Sequence, residues 1–306
     1  MIRNFLFHRV NPKRDALWDP MDVQLFDRCI EFITRNFETA LIEELALTDK
    51  LKFKNRFATI MFDDGYKDNI EYAAPILKKY NCKASFYVVT DCINKNFPTW
   101  THLLEHLFQF TSKKELVMDF NFLPAALQIK KLNDTAERLS YVKKLKPFLK
   151  TLPHEQRNEA IDRILKSYDD TEIPALMMSW NDLQQLRSEG HYIGSHSVSH
   201  CMLGTMSDER EITYELVESG KRIKEMLGYF PITISYPVGS YNEATKRLAR
   251  KAGYKIGLAV KQDIYDPSKS DEFEIPRIEL YNEFWWKTRL RISNSLENFK
   301  KLIGYR

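Results

Sequence analysis

The sequence has no apolar run long enough to cross a bilayer in its 306 residues. Its opening, Met1-Ile-Arg-Asn-Phe-Leu-Phe-His-Arg9, holds too short an apolar stretch for an export signal. The four cysteines, Cys29, Cys82, Cys92 and Cys201, form no CxxC pair and no regular framework, which argues against a disulfide scaffold. There is no internal repeat and no low-complexity tract. The net charge of +4 is spread along the chain and is not a nucleic-acid signature. These absences leave a cytoplasmic globular protein with free thiols as the expectation.

What is present is an ordinary apolar content of 43%, a generous aromatic content of 13%, and enough length for one large barrel or two modest domains. Apolar runs and helical periodicities alternate. Strands are expected at Phe5–His8, Phe57–Phe62, Ala84–Val89, Tyr192–His196, Ile232–Tyr236, Ile256–Val260 and Arg277–Leu280. Helices are expected at Val23–Asn36, Ile42–Leu47, Asn69–Tyr80, Asn181–Ser188, from Asp208 to Gly228 with a capping box to Glu211, and from Asn242 to Gly253. This alternation predicts an α/β barrel or doubly wound sheet. Between about Asn94 and Thr171 the pattern gives way to Lys-, Leu- and Glu-rich helices, including Asp134–Lys150 and Glu155–Ser167. Residues 94–171 are read as a helical insertion in a single 1–306 domain.

The stretch Phe57-Ala-Thr-Ile-Met-Phe-Asp-Asp-Gly-Tyr66 carries the chemistry. A buried strand ends in two adjacent acids, Asp63 and Asp64, whose mutual repulsion needs an offset. A metal ion would supply it and separate their roles into ligand and base. His196 and His200 stand four residues apart, so on one helical turn they share a face and suit one metal. The bland alternative is a pair of histidines near a helix start. A carboxylate and two histidines would leave a coordination position open, as in catalytic zinc sites. Parallel strands would deliver both groups to one rim.

Phe62-Asp-Asp-Gly65 together with Ser195-His-Ser-Val-Ser-His200 resembles the first two motifs of the polysaccharide deacetylase family, the NodB-homology or carbohydrate esterase family 4 enzymes. Tyr236-Pro-Val-Gly-Ser-Tyr241 is similar to the third. The resemblance implies a distorted (β/α) barrel with fewer than eight full units, and metal-dependent removal of N-acetyl groups from amino sugars. It implies Asp64, His196 and His200 as ligands of a divalent metal (zinc, with cobalt or nickel as alternatives) and Asp63 as general base. Val238 would give a backbone N–H to the oxyanion.

Two departures stand out. Ser235 occupies the place of the arginine that orients the base, and Arg277 is the candidate replacement; a structural arginine beside a strand is the alternative. No histidine follows His200, yet Leu6-Phe-His8 looks like the family's leucine–histidine motif moved to the N-terminus, as in circularly permuted members. That makes His8 the candidate general acid, against a structural histidine at a strand end. Tyr66, Tyr236, Pro237, Gly239 and Tyr241 are candidates to line a sugar cleft, with core packing and an ordinary turn as the alternatives. Asp68 reads as a helix cap, His102 and His106 as structural or surface residues, and His191 and Cys201 as neighbours of the site in sequence only. The basic, aromatic tail from Phe284 to Arg291, followed by Phe299, Leu302 and Tyr305, reads as a helix across the barrel end. Peripheral contact with a membrane bearing a lipid-linked glycan is its alternative.

The implied partner is an N-acetylated sugar or glycan, nucleotide- or lipid-linked forms included, in surface-glycan synthesis. Hydrolysis of another linear amide such as a formamide, and a catalytically silent glycan-binding scaffold, are the competing readings.

Overall fold

The computed structural model describes residues 1–47, 56–167 and 170–295. In chain order the strands are β1 (Ile2–Phe7), β2 (Glu38–Thr39), β3 (Phe57–Phe62), β4 (Ser85–Val88), β5 (Glu115–Val117), β6 (Ile129–Lys131), β7 (Tyr192–Ser195), β8 (Thr233–Ser235), β9 (Ile256–Leu258) and β10 (Ile278–Glu279). The helices are α1 (Val23–Asn36), α2 (Ile42–Ala46), α3 (Ala74–Lys79), α4 (Thr90–Lys95), α5 (Trp100–Phe110), α6 (Ala125–Gln128), α7 (Thr135–Thr151), α8 (His154–Ser167), α9 (Trp180–Ser188), α10 (Glu209–Leu227), α11 (Glu243–Ala252) and α12 (Trp285–Ile292).

The main sheet is eight-stranded and runs β10-β1-β3-β4-β7-β8-β9, with β2 added beside β3. All its pairings are parallel. A parallel bridge from Leu258 to Ile275 links β9 to the chain entering β10, so the curled sheet draws its edges together. This is the distorted α/β barrel that the alternation and the motifs imply.

Every residue of β3 is buried, as a strand covered on both faces must be. Its outward residues Ile60 and Phe62 join a core with Phe26, Ile30 and Ile33 of α1. Its inward residue Met61 packs with Tyr87 and Leu258 inside the barrel. The α1 stripe Phe26, Cys29, Ile30 and Ile33 follows the helical period, and Asp22 caps it by accepting the Gln24 and Leu25 N–H groups. On α10, Asp208 accepts from Arg210 rather than forming the expected box with Glu211, and Gly228 closes the helix at φ +82°. The helix after β3 begins with a π-helical turn over Asn69–Ala73. Asp68 does not cap it, because its carboxylate is held by Arg9 at 3.0 Å.

Residues 94–171 hold an antiparallel hairpin, β5–β6, as well as helices. The segment has its own core, in which Leu104, Leu107 and Phe108 of α5 meet Tyr141, Leu145 and Leu149 of α7 and Ile164 of α8. At the other end of the chain, Trp285 of α12 packs edge-on against Phe32 of α1 at 5.7 Å, with Arg28 over its ring. That is the helix-packing reading of the tail; Phe299, Leu302 and Tyr305 lie outside the described residues.

Gly65 makes the turn after the acids. It sits at φ +91°, and a Cβ there would meet Ile93 Cδ1 at 2.9 Å. Gly65→Ala is expected to lower the unfolding free energy by roughly 1–3 kcal/mol, read as a shift of the urea midpoint at unchanged slope.

Candidate active site

Strand register assembles the site. Phe7 of β1 pairs with Phe62 of β3, and Phe62 with Phe86 of β4. The three rings stack across the strands, at 5.5 Å and 4.9 Å. The residues after the first two, His8 and Asp63, therefore emerge side by side at the C-terminal rim. Since Phe62 faces the outer helices, alternation turns Asp63 inward. His8, Asp63, Asp64, His196, His200 and Val238 all line one cavity of about 220 Å³ there.

Asp63 is buried and gripped from two sides. Arg277 donates Nη1 to Oδ1 at 2.8 Å and Nη2 to Oδ2 at 2.9 Å. Ser235 Oγ donates to both oxygens at 3.1 Å. Arg277 itself is fully enclosed and donates Nε to Ala259 O at 3.0 Å. Burial alone would raise the Asp63 carboxyl, but the guanidinium beside it and the nearby imidazoles outweigh that and hold it below the usual value. A bidentate arginine thus reaches this acid from a distant strand. Ser235, which the sequence marks only as a missing arginine, is a second orienting donor.

Asp64 points elsewhere. His196 Nε2 lies 3.4 Å and His200 Nε2 3.3 Å from its Oδ1. One donor atom from each of Asp64, His196 and His200 lies within 4.8 Å of the others. Asp64 Oδ1 is buried and has no hydrogen-bond partner, so the carboxylate is positioned for something other than a protein donor. Burial would raise it, yet the two imidazoles hold it well below the ordinary range. Burial pushes His200 down, toward the neutral form a ligand needs. His196 Nδ1 is 2.8 Å from Ser235 O, the outer contact that orients a metal-bound imidazole and frees Nε2. This donor set fits a divalent metal.

The two histidines do not share a helical turn. Residues 196–202 form a loop in which Ser197 and His200 take φ +66° and +62°. Glu215 of α10 holds it, accepting the Val198 and Ser199 N–H groups at 2.9 Å and the Ser199 hydroxyl at 2.6 Å. Backbone bonds from Thr90 to Ser197 O and from Asp91 to Val198 O complete the anchoring. Glu215 has no local signature in the sequence, since its partners are far along the chain.

His8 has Nδ1 3.4 Å from Glu279 Oε1, and its ring meets Trp18 edge-on at 5.4 Å. Val238 takes φ +57°, rare for a β-branched residue, within the Pro237–Gly239 turn. The next two N–H groups, of Gly239 and Ser240, bond back to Tyr236 O and Pro237 O.

The aromatic candidates fall outside the cavity. Tyr66 is fully buried, with its hydroxyl 3.2 Å from His102 Nδ1. Tyr236 and Pro237 are buried, and Tyr241 stacks on Tyr236 at 4.9 Å. For Tyr66, Tyr236 and Pro237 the geometry gives core packing rather than a sugar-facing surface, while Tyr241 is half-buried. Gly239 lies against Val260, a cavity residue, so its lack of a side chain matters for close approach. Trp18 and Glu279, with Thr101 and Glu105 of α5 and Lys146 and Lys150 of α7, also line the cavity, and none carries a motif.

Fold and site together define an α/β barrel with a candidate Asp-His-His metal centre at the C-terminal rim of its parallel strands. The chain belongs to the polysaccharide deacetylase family, whose model matches residues 50–257. Deacetylases of this family are metal-dependent. The "Putative polysaccharide deacetylase YxkH" of Bacillus subtilis (strain 168) is 23% identical over 217 residues, 71% of this chain and 49% of that protein. The peptidoglycan-N-acetylglucosamine deacetylase PgdA of Listeria monocytogenes serotype 1/2a (strain 10403S) is 35% identical over 68 residues, 22% of this chain and 14% of that protein. The chain thus spans half or less of the length of these curated relatives.

Among solved structures, the deacetylase PplD of Streptococcus pyogenes, in complex with acetate, superposes with a TM-score of 0.63 at 17% identity, covering 95% of this chain and 97% of that one. IcaB from Ammonifex degensii gives 0.62 at 14%, covering 95% and 96%. At these identities the likeness is one of fold. His8 and Arg277 lie outside the matched residues 50–257, and the fold returns both to Asp63.

Arg277→Met is expected to destabilise by about 3–5 kcal/mol, because it leaves Asp63 charged and buried without its partner; chemical denaturation reads it. The lowered Asp63 value gives stability that is complete above the ordinary carboxylate pKa near 3.9 and is lost as pH falls through the lowered value. Asp63→Asn should therefore flatten the acid limb of stability against pH, relative to wild type.

Proposed function

We propose that this chain is a metal-dependent N-deacetylase acting on an N-acetylated amino sugar of a glycan or glycan precursor. One observation carries the reading. Asp64 Oδ1 is buried without a hydrogen bond and faces two imidazole nitrogens, beside an acid forked by arginine.

Asp64, His196 and His200 would hold the ion, for which zinc, cobalt or nickel suits the donors. When bound, such an ion supplies Lewis acidity and lowers the pKa of water. The chain's own residues do the rest. Asp63, kept ionised by Arg277 and Ser235, takes a proton from the attacking water. The Val238 N–H donates to the oxygen that gains charge as the acetyl carbon becomes tetrahedral. His8 gives a proton to the departing amine, so acetate and a free amino sugar leave. Arg277 supplies the charge that Ser235 does not, which removes the main support for a silent scaffold. The PgdA relative's name supports N-acetylglucosamine-type glycans as the substrate class. Nucleotide-linked and lipid-linked N-acetyl sugars belong in the same substrate panel.

The test is acetate release from N-acetylchito-oligosaccharides by protein loaded in turn with zinc, cobalt and nickel. Asp64→Ala is expected to lose both the metal, by elemental analysis, and turnover. Asp63→Asn should keep its metal while kcat falls about 10²–10⁴-fold, and His8→Gln should lower kcat by a similar order with little change in KM. Wild-type rates in Asp64→Ala, or no acetate from any N-acetylated glycan with metal-replete wild type, would sink the proposal. Adding the metal to stripped protein should also raise Tm in a concentration-dependent way.

A further inference from the structure

The cavity has a floor and a wall of different origin. The barrel rim supplies the floor. The wall comes from the insertion, where α5 presents Thr101 and Glu105 and α7 presents Lys146 and Lys150. Each pair is four residues apart and so shares a helix face. The wall is fixed to the metal-site loop. Trp100 Nε1, at the start of α5, donates to His200 O at 3.2 Å, and His102 meets the Tyr66 hydroxyl.

Apart from Asp64, which belongs to the candidate metal centre, most charges around this cavity have a direct partner. Arg277 holds Asp63, and Lys146 holds Glu105. Glu279 faces His8 and accepts from the Tyr281 hydroxyl at 2.6 Å. Lys150, half-buried in the last turn of α7, makes no ion pair or hydrogen bond with the described residues. A lysine in a final helical turn complements the helix dipole, but that role does not require it to face a cavity. Lys143 and Lys144 of the same helix are exposed. A half-buried ammonium that Glu105, Glu279 and Asp64 attract only through space, with none of them bonded to it, forgoes hydration unless a ligand supplies a bonded anion.

We infer that Lys150 is the anchor for an anionic oxygen group, a carboxylate or a phosphate, carried on the substrate beside the N-acetylated sugar. The inference rests on the deacetylase reading and adds to it: the preferred substrate is an acidic or phosphorylated glycan rather than a neutral one. A lone ammonium acts as a point charge and accepts either anion, whereas a guanidinium fork would favour planar, bidentate contact. Burial first and Lys146 second lower the Lys150 pKa against the opposing attraction of Glu105, Glu279 and Asp64, and a bound anion would add to that attraction.

The test compares kcat/KM for a neutral N-acetylchitotriose, a glycan containing N-acetylmuramic acid (the carboxylate arm) and UDP-N-acetylglucosamine (the phosphate arm). Lys150→Gln is expected to lower the anionic-to-neutral ratio about ten-fold for the arm that wild type prefers, the loss of one charge-assisted contact. Lys150→Arg should restore most of it, and Lys144→Gln should leave the ratio at its wild-type value. A ratio within about two-fold of wild type in Lys150→Gln for both arms overturns the inference while acetate release stands. Should wild type release acetate from none of the three, the deacetylase reading fails. Calorimetric titration with N-acetylmuramic acid and with inorganic pyrophosphate then decides the anchor alone. Weaker binding to Lys150→Gln supports it, and equal binding to both proteins, or none to wild type, overturns it.

Discussion

The structure depends on one buried ion pair, Arg277 with Asp63. Both side chains are removed from water, which is favourable only where geometry is good and the remaining polar atoms are satisfied. Here the guanidinium spends Nε on Ala259 O and its two terminal nitrogens on the two carboxylate oxygens, while Ser235 donates to both. Those partners come from β3, the end of β8, the loop after β9 and the entry to β10. The pair is satisfied only when the sheet has curled far enough to bring these together, so closure of the barrel and pairing of the base are one event. Asn4 of β1 reinforces the closure by donating to Pro276 O at 2.9 Å, next to Arg277.

Around that pair the backbone carries strain. Asp64, Ser197, His200 and Val238 all have positive φ without being glycine. Such residues persist where surrounding bonds over-determine them. For the histidine loop those bonds come from Glu215, Thr90 and Asp91; for Val238, from the turn's own N–H groups. Asp64, His200 and Val238 line the cavity and Ser197 adjoins His196, whereas the other non-glycine residues at positive φ, Asn81, Asn96 and Asn294, are not in its lining. A rigid barrel therefore supports a rim whose conformations an isolated segment would not hold.

Much of the frame was legible in the sequence because it is written in local pattern. Helix Val23–Asn36 and strand Phe57–Phe62 have the bounds that periodicity predicts. Most other expected elements shift by a residue or two at their ends, the first strand begins three residues earlier, at Ile2, and the short strands β2, β5 and β6 were not expected. The Asp63–Asp64 and His196–His200 motifs meet in one site, as expected from two strand ends. What escaped is non-local. Four-residue spacing suggested a helical turn for the histidines, but a glutamate from another helix decides that loop. Ser235 looked like a deficit and is a donor to the base. Tyr66 looked like a cleft residue, but the insertion covers it and bonds its hydroxyl. The Lys- and Glu-rich helices of residues 94–171 carry no motif, yet Glu105, Lys146 and Lys150 line the cavity, which no period in the chain can signal.

The reach of the Arg277–Asp63 contact, across 214 positions of sequence, has a consequence for the order in which the protein is made. At ribosomal speeds of roughly 5–20 residues per second, Asp63 waits on the order of ten seconds or more for its guanidinium. Until then β1 and β3 can pair, but an acid destined for burial has no counter-charge, and water must stay beside it. The site can therefore be dried only after the segment entering β10 has been made.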